Sequence, residues 1–167
     1  MRETHGDEQL TFGLSEPSTQ PRHDPTPELG CYVLKTDGGI SREPGRASGR
    51  AGIGVVLKDD RDRDVDTESR LFGWVRNHHE AEFRAFIAGL ELARRHAIDR
   101  IRVFADSRYV IHTVNGDWKL KAEHFKAVYA KAVMLVREFA DIRLAWVPRE
   151  MNVEADALAS RALGRFR

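Results

Sequence analysis

The chain has 167 residues, 27 of them lysine or arginine and 26 aspartate or glutamate, so its formal net charge is +1. This length suits one domain with a substantial hydrophobic core. A single cysteine, Cys31, excludes an internal disulfide, and no stretch approaches the ~20 apolar residues of a membrane-spanning helix. Since the N-terminus also lacks the apolar segment of a signal peptide, we expect a cytoplasmic protein with no membrane partner. Cys31 lies in an apolar run, so we expect it to be buried and unreactive.

The first 28 residues differ in composition from the rest of the chain. They contain four of the six prolines and show no sustained apolar periodicity, which predicts a disordered tail. Residues 1–30 carry a net charge of −4, so the remaining 137 carry +5. A small apolar island lies between Gln9 and Leu14; we interpret it as a chance cluster, and the alternative is a weak protein-docking motif resembling sliding-clamp-binding peptides. The folded domain is expected to span residues 29–167 and to suit a polyanionic partner.

Three strand-like runs follow the tail. They occupy residues 31–37, 51–57 and about 68–75. A loop rich in Gly, Ser and Arg is expected at 38–50, and a polar turn at 59–66. Consecutive strands with such connections predict an antiparallel meander.

Helices and strands alternate in the second half of the domain. Apolar residues at helical spacing predict a helix over about 78–96, and strand 101–105 follows it. Further elements are a short helix capped by Ser107, a helix over about 122–139, a strand over 142–147, and a last helix from the N-cap Asn152 to about 163. The order βββαβααβα predicts an α/β fold, with a mixed sheet and helices packed on its faces.

Four carboxylates stand where these predicted elements begin or end. Asp37 and Asp106 each end a strand, Glu82 lies early in a helix, and Asp156 lies in the first turn of the last helix. Groups at such positions can converge on one rim of a sheet. A bound cation makes that concentration of negative charge tolerable, so the pattern favours metal-dependent phosphoryl transfer.

Four short segments carry a family resemblance. The sequences TDGG at 36–39, AEF at 81–83, ADSRYV at 105–110 and NVEADALA at 152–159 resemble the signature segments of type 1 ribonuclease H, in the family's order. The resemblance spans about residues 31–163. It implies a ribonuclease H-like five-stranded sheet of order 3-2-1-4-5 with helices on both faces. It also implies endonucleolytic hydrolysis of the RNA strand of RNA–DNA hybrids. We expect the protein to be a monomer.

The same resemblance implies the metal ligands. Asp37, Glu82, Asp106 and Asp156 would bind two Mg²⁺ ions, with Mn²⁺ as an alternative. Asp37 would coordinate both ions. Asp156 would also coordinate the ion that activates water, and Glu82 and Asp106 would coordinate the ion at the leaving 3′-oxygen. Cleavage would leave a 5′-phosphate and a 3′-hydroxyl.

Substrate contacts follow from the resemblance at two further places. Gly38 and Gly39 would let the backbone approach the minor groove, where 2′-hydroxyls distinguish RNA from DNA. His78 and His79 stand where many members have a pair of asparagines that contact base edges. We therefore expect all four residues to bind substrate.

Two basic segments complete the predicted site. The stretch 115–121, with Lys119 and Lys121, resembles the compact branch of the family that lacks an extra basic helix, although Ala122 replaces a phosphate-binding Asn. Arg149 stands in the loop where many members carry a His. Its guanidinium stays protonated, so Arg149 is expected to bind phosphate and not to act as a base. The alternative is an ordinary surface arginine.

Two other functions are compatible with this fold. A non-catalytic nucleic-acid-binding module would not require all four carboxylates. Another nuclease of the same fold would carry a different acidic set: proofreading exonucleases need Asp-x-Glu where Asp37 is followed by two glycines, and integrase-like enzymes usually end with Glu where this chain has Asp156.

Overall fold

A computed structural model describes residues 30–42 and 44–165. The predicted acidic tail and the apolar island between Gln9 and Leu14 lie outside these residues. The strands are β1 (Tyr32–Arg42), β2 (Gly49–Lys58), β3 (Asp64–Val75), β4 (Arg100–Ala105) and β5 (Asp141–Trp146). The α-helices are α1 (His78–Arg95), α2 (Arg108–Val114), α3 (Lys126–Val136) and α4 (Val153–Ala162). The predicted order of elements is confirmed.

The five strands form one mixed sheet in the order β3-β2-β1-β4-β5, as the resemblance implied. Strands β1, β2 and β3 pair antiparallel, whereas β4 pairs parallel to both β1 and β5. Pairing between β1 and β4 ends at Thr36 and Ala105. Asp37 and Asp106 therefore leave that pairing together, at one place on the sheet.

Strand β1 is longer than the sequence predicts. The expected loop at 38–50 is wrong in its first part, since Gly38 and Gly39 continue the strand and pair with Ile53 and Gly52 of β2. A Gly-Gly pair is typical of a turn, but here β2 supplies the backbone partners that keep the chain extended. Asp37 consequently lies within a strand and not at its end.

The third predicted helix is shorter than expected. A 3₁₀ turn, Glu123–Phe125, precedes α3, and α3 ends at Val136. Phe125 and Phe139, near the two limits of the predicted helix, are both buried in the main core, so apolar spacing continues through segments that are not α-helical.

Helices cover both faces of the sheet, as expected. Helix α1 packs large apolar side chains, including Phe83 and Phe86, over the strands to form the main core. Helix α4 lies on the other face and buries only Ala155 and Ala159. Cys31 is buried, as predicted. Among the described residues, no helix combines the length and apolar character required to cross a membrane.

Candidate active site

Three of the four predicted carboxylates border one cleft. Asp37, Glu82 and Asp106 line it together with Thr36, Gly38 and Ser107. Asp37 belongs to β1, and Asp106 follows the last residue of β4. The backbone carbonyl of Asp106 accepts a hydrogen bond of 3.2 Å from Trp146 Nε1, which fixes the chain at the exit of β4. Residues from separate elements thus meet at the predicted place.

Glu82 reaches the cleft because α1 begins directly over β1. A Cβ atom on Gly38 would lie 2.2 Å from the carbonyl oxygen of Ala81 and 2.5 Å from the backbone nitrogen of Glu82. Only glycine therefore allows this turn of α1 to sit so close to the strand. The Glu82 carboxylate accepts a 2.6 Å hydrogen bond from Ser107 Oγ, and His79 Nδ1 lies 3.1 Å from the same oxygen.

The fourth carboxylate, Asp156, is held by a second close approach. A Cβ atom on Gly54, which pairs with Asp37 across β1 and β2, would lie 2.0 Å from the carbonyl oxygen of Ala155. Ion pairs anchor the same turn of α4, since Glu154 lies 2.9 Å from Lys35 and 3.0 Å from Lys58. Asp156 is thereby placed beside the Asp37 segment, in the first turn of the helix as predicted.

Asn152 has a role that the sequence did not reveal. It was predicted to cap α4, and it occupies the N-cap position, but its side chain makes no capping hydrogen bond. Instead Nδ2 donates to the carbonyl oxygen of Thr36 and to Oδ1 of Asp106, both at 3.0 Å. The residue is completely buried, so these bonds tie the start of α4 to the strands that carry Asp37 and Asp106.

Arg149 pairs with Asp156. Its guanidinium donates to the Asp156 carboxylate, and this hydrogen bond raises the pKa of Arg149 above its ordinary value. The Arg149 side chain is 60% exposed, so it can also face a bound polyanion. Arg149 therefore lies beside one of the candidate metal ligands, and its predicted phosphate contact stays a prediction.

Negative charge is concentrated around Asp37. Burial, followed by the carboxylates of Asp106, Asp156 and Glu82, raises the pKa of Asp37 from 3.8 to about 7. Ionising Asp37 near neutral pH is therefore costly unless a cation is present. The donors are carboxylate oxygens, the ligands that Mg²⁺ prefers, so the residues fit a divalent metal site.

The predicted substrate contacts have different surroundings. Gly38 is buried beneath α1, and helix packing by itself requires the absence of a side chain there; the predicted approach to a minor groove stays a prediction. Gly39 is partly covered by Leu163, and a Cβ there would lie 3.1 Å from that side chain. Lys119 and Lys121 are exposed, as phosphate-binding residues must be.

Comparison with known proteins supports the same fold and family. The model of a family described as reverse transcriptase-like matches residues 36–162. The bifunctional protein Rv2228c of Mycobacterium tuberculosis is 34% identical over 131 residues, which are 78% of this chain and 35% of that protein. Ribonuclease HI of Halobacterium salinarum is 30% identical over 143 residues, 85% of this chain and 59% of the relative. The chain thus spans about a third to three fifths of these relatives.

Solved structures extend the comparison. RNase H1 from Halobacterium salinarum superposes with a TM-score of 0.75 and 31% identity, covering 82% of this chain and all of that one. The N-terminal RNase H domain of Rv2228c gives a TM-score of 0.72 at 32% identity, covering 78% of this chain and 97% of the other. LC11-RNase H1, solved in complex with an RNA/DNA hybrid, superposes with a TM-score of 0.71 at 28% identity, and the match covers 80% of this chain and 97% of the other.

Proposed function

The chain belongs to the type 1 ribonuclease H family, and we propose that it is an endonuclease that hydrolyses the RNA strand of RNA–DNA hybrids. The observation that carries this proposal is the convergence of three carboxylates, Glu82, Asp106 and Asp156, on a fourth, Asp37, from separate parts of the fold. Such a set has a high electrostatic cost and little structural benefit, whereas metal-dependent phosphodiester hydrolysis requires it. A relative of the same fold was solved with an RNA/DNA hybrid, which supports the choice of substrate.

Asp37, Glu82, Asp106 and Asp156 would hold two Mg²⁺ ions, with Mn²⁺ as the alternative; members of the family generally use divalent metal ions. When bound, the ions supply an activated water and stabilise charge at the leaving 3′-oxygen, which leaves a 5′-phosphate and a 3′-hydroxyl. The raised pKa of Asp37 supports this assignment, because a cation favours the ionised form that a ligand needs.

The other residues of the site orient these ligands. Ser107 Oγ and His79 Nδ1 both contact the Glu82 carboxylate, and Asn152 Nδ2 holds Oδ1 of Asp106. Since each ligand oxygen has a limited range of useful positions, such contacts reduce the reorganisation needed at the site.

Phosphate recognition is assigned to three basic residues. Arg149 lies against Asp156, and Lys119 and Lys121 have exposed side chains that a polyanion can reach. His78 and His79, at the start of α1, stand beside the same cleft and would contact the bases or sugars. Affinity for the hybrid should therefore fall steeply as salt increases.

The deciding experiment compares cleavage of three duplexes of one sequence: an RNA–DNA hybrid, duplex RNA and duplex DNA. We expect Mg²⁺-dependent cleavage within the RNA strand of the hybrid, loss of cleavage with a chelator, and products that a ligase or 5′-phosphate-dependent exonuclease identifies as carrying 5′-phosphates. Absence of hybrid cleavage, with binding retained, would favour a non-catalytic module. Preferential cutting of duplex DNA would favour another nuclease of this fold.

A further inference from the structure

A second set of metal-ligating atoms lies at the start of α1. His78, His79 and Glu82 each offer one ligand atom, and these three atoms lie within 4.8 Å of one another. His79 Nδ1 is 3.1 Å from Glu82 Oε2. In a tetrahedral zinc site with bonds of about 2.0–2.1 Å, neighbouring ligand atoms are about 3.3 Å apart. One pair already has about this separation, and the remaining distances, at most 4.8 Å, leave the third ligand atom within reach of a side-chain rearrangement.

The local structure holds these side chains in place. His78 and Glu82 are four residues apart, so they share one face of the helix. The first turn is fixed by Asn77, whose side chain accepts a 3.1 Å hydrogen bond from the backbone nitrogen of Glu80. The ring of His79 packs between those of His78, at 3.9 Å, and Tyr109, at 4.7 Å between centroids. The ligands are therefore partly preorganised.

The donor set differs in kind from the four carboxylates. Two imidazoles and one carboxylate favour zinc and neighbouring transition metals, whereas an all-oxygen set favours Mg²⁺. We propose that His78, His79 and Glu82 bind a transition-metal ion of the zinc class, and that this ion draws Glu82 away from the carboxylate cluster. The second half of the proposal rests on the function proposed above, because it predicts that zinc inhibits Mg²⁺-dependent cleavage.

Zinc binding is tested without substrate or magnesium. The full chain, with His78→Asn and His79→Asn variants, is titrated with ZnCl₂ in a calorimeter. Each substitution should weaken the zinc site at least about tenfold, since removal of an outer-shell partner alone costs ~10–100-fold. His96→Asn is the matched control: His96 follows α1 and pairs with Asp66 at 2.8 Å, away from this site, and the variant should bind zinc like wild type.

Three results would overturn the proposal. These are no zinc binding by wild type, unchanged binding by both variants, or binding lost in Asp37→Asn but kept when His78 or His79 is replaced. Thermal unfolding of each variant shows whether it is folded before its titration is interpreted.

The inhibitory half is tested by adding ZnCl₂ during Mg²⁺-dependent hybrid cleavage. Rates are normalised to each variant's own rate without zinc, because His78 and His79 are also proposed substrate contacts. The zinc concentration that inhibits cleavage should be about tenfold lower for wild type and His96→Asn than for His78→Asn or His79→Asn. Equal inhibition of all four would overturn the coupling. If no protein cleaves hybrids, the proposed function fails while the titration still decides the zinc site.

Discussion

Helices α1 and α4 cover opposite faces of one sheet, but they pack on it in different ways. Helix α1 buries large side chains such as Phe83 and Phe86 against Leu34 and Val55. Helix α4 buries Ala155 and Ala159, and it lies on the glycines of β2. The first arrangement removes much apolar surface from water, whereas the second removes little but brings backbones close together. The α1 face therefore provides most of the stability, and the α4 face provides precision at the site.

Next to the candidate carboxylates, both helices pack on the sheet in the same way. The turn of α1 that carries Glu82 also lies on a glycine, Gly38, just as the turn that carries Asp156 lies on Gly54. Both helices thus approach the sheet backbone directly beside Asp37. Close packing of backbones, and not the size of the core, determines where the candidate ligands meet.

The largest effect on activity is expected for Asp37→Asn. This change removes the carboxylate on which the charges of the other three act, so cleavage of the hybrid should be nearly abolished while the fold is kept. Single-turnover cleavage at saturating Mg²⁺ measures the loss. Turnover like that of wild type would exclude the proposed metal-binding role of Asp37.

The same variant should be more stable than wild type when no metal is present. The pKa of Asp37 is 3.8 in its ordinary state and about 7 in the folded chain. Protonated Asp37 stabilises the folded chain relative to the unfolded chain. This stabilisation is fully present below pH 3.8 and is lost as the pH rises to about 7. Above pH 7, Asp37→Asn should gain on the order of 2–4 kcal/mol in chelator, with the gain disappearing towards pH 4. Asp62→Asn, at an exposed position, is the control and should keep the wild-type pH dependence.

Substitutions at two neighbouring residues of β2 test the contributions of the two faces separately. In Gly54→Ala the new Cβ would meet the carbonyl oxygen of Ala155 at 2.0 Å, so α4 must shift. A displacement of ~1 Å can cost ~100-fold in rate, and a loss of that size in single-turnover cleavage is expected. Val55→Ala, on the α1 face, should instead cost about 2 kcal/mol of unfolding free energy and little activity.

Chemical denaturation and single-turnover cleavage, measured on both variants, check this separation. If Gly54→Ala stayed active and Val55→Ala lost activity in proportion to its stability, the division of labour between the faces would be wrong.

A smaller effect is expected at Asn152, which orients Asp106. In Asn152→Ala the two hydrogen bonds from Nδ2 are lost, so the rate should fall about tenfold and the Mg²⁺ concentration for half-maximal cleavage should rise. A merely structural role would lower the melting temperature without moving the Mg²⁺ dependence. Thr113→Val is the control, because Thr113 Oγ1 is buried without a hydrogen-bond partner among the described residues and lies on α2.

The sequence predicted much of this site but not how it is held together. Asp37, Glu82, Asp106 and Asp156 became candidates through their places in the predicted elements and through the family resemblance, and three of them line one cleft in the structure. The role of Asn152 could not be predicted, since a capping Asn and one that reaches Thr36 and Asp106 look the same along the chain. The path of β1 through Gly38 was also missed, because its extended form depends on pairing with β2. Long-range contacts decide both cases.

A further loss of cleavage is expected at Arg149, the exposed residue that pairs with Asp156 on the α4 side of the site. If it binds the scissile or released phosphate, Arg149→Ala should slow single-turnover cleavage about ten- to a hundredfold, because one charged contact is worth ~1.5–3 kcal/mol. Metal binding should change little, and Arg149→His should keep part of the activity. Arg161→Ala, at an exposed position towards the end of α4, controls for loss of one positive charge. Equal rates for Arg149→Ala and Arg161→Ala would make Arg149 an ordinary surface arginine, and precision on the α4 face would then rest on Asp156 and Asn152.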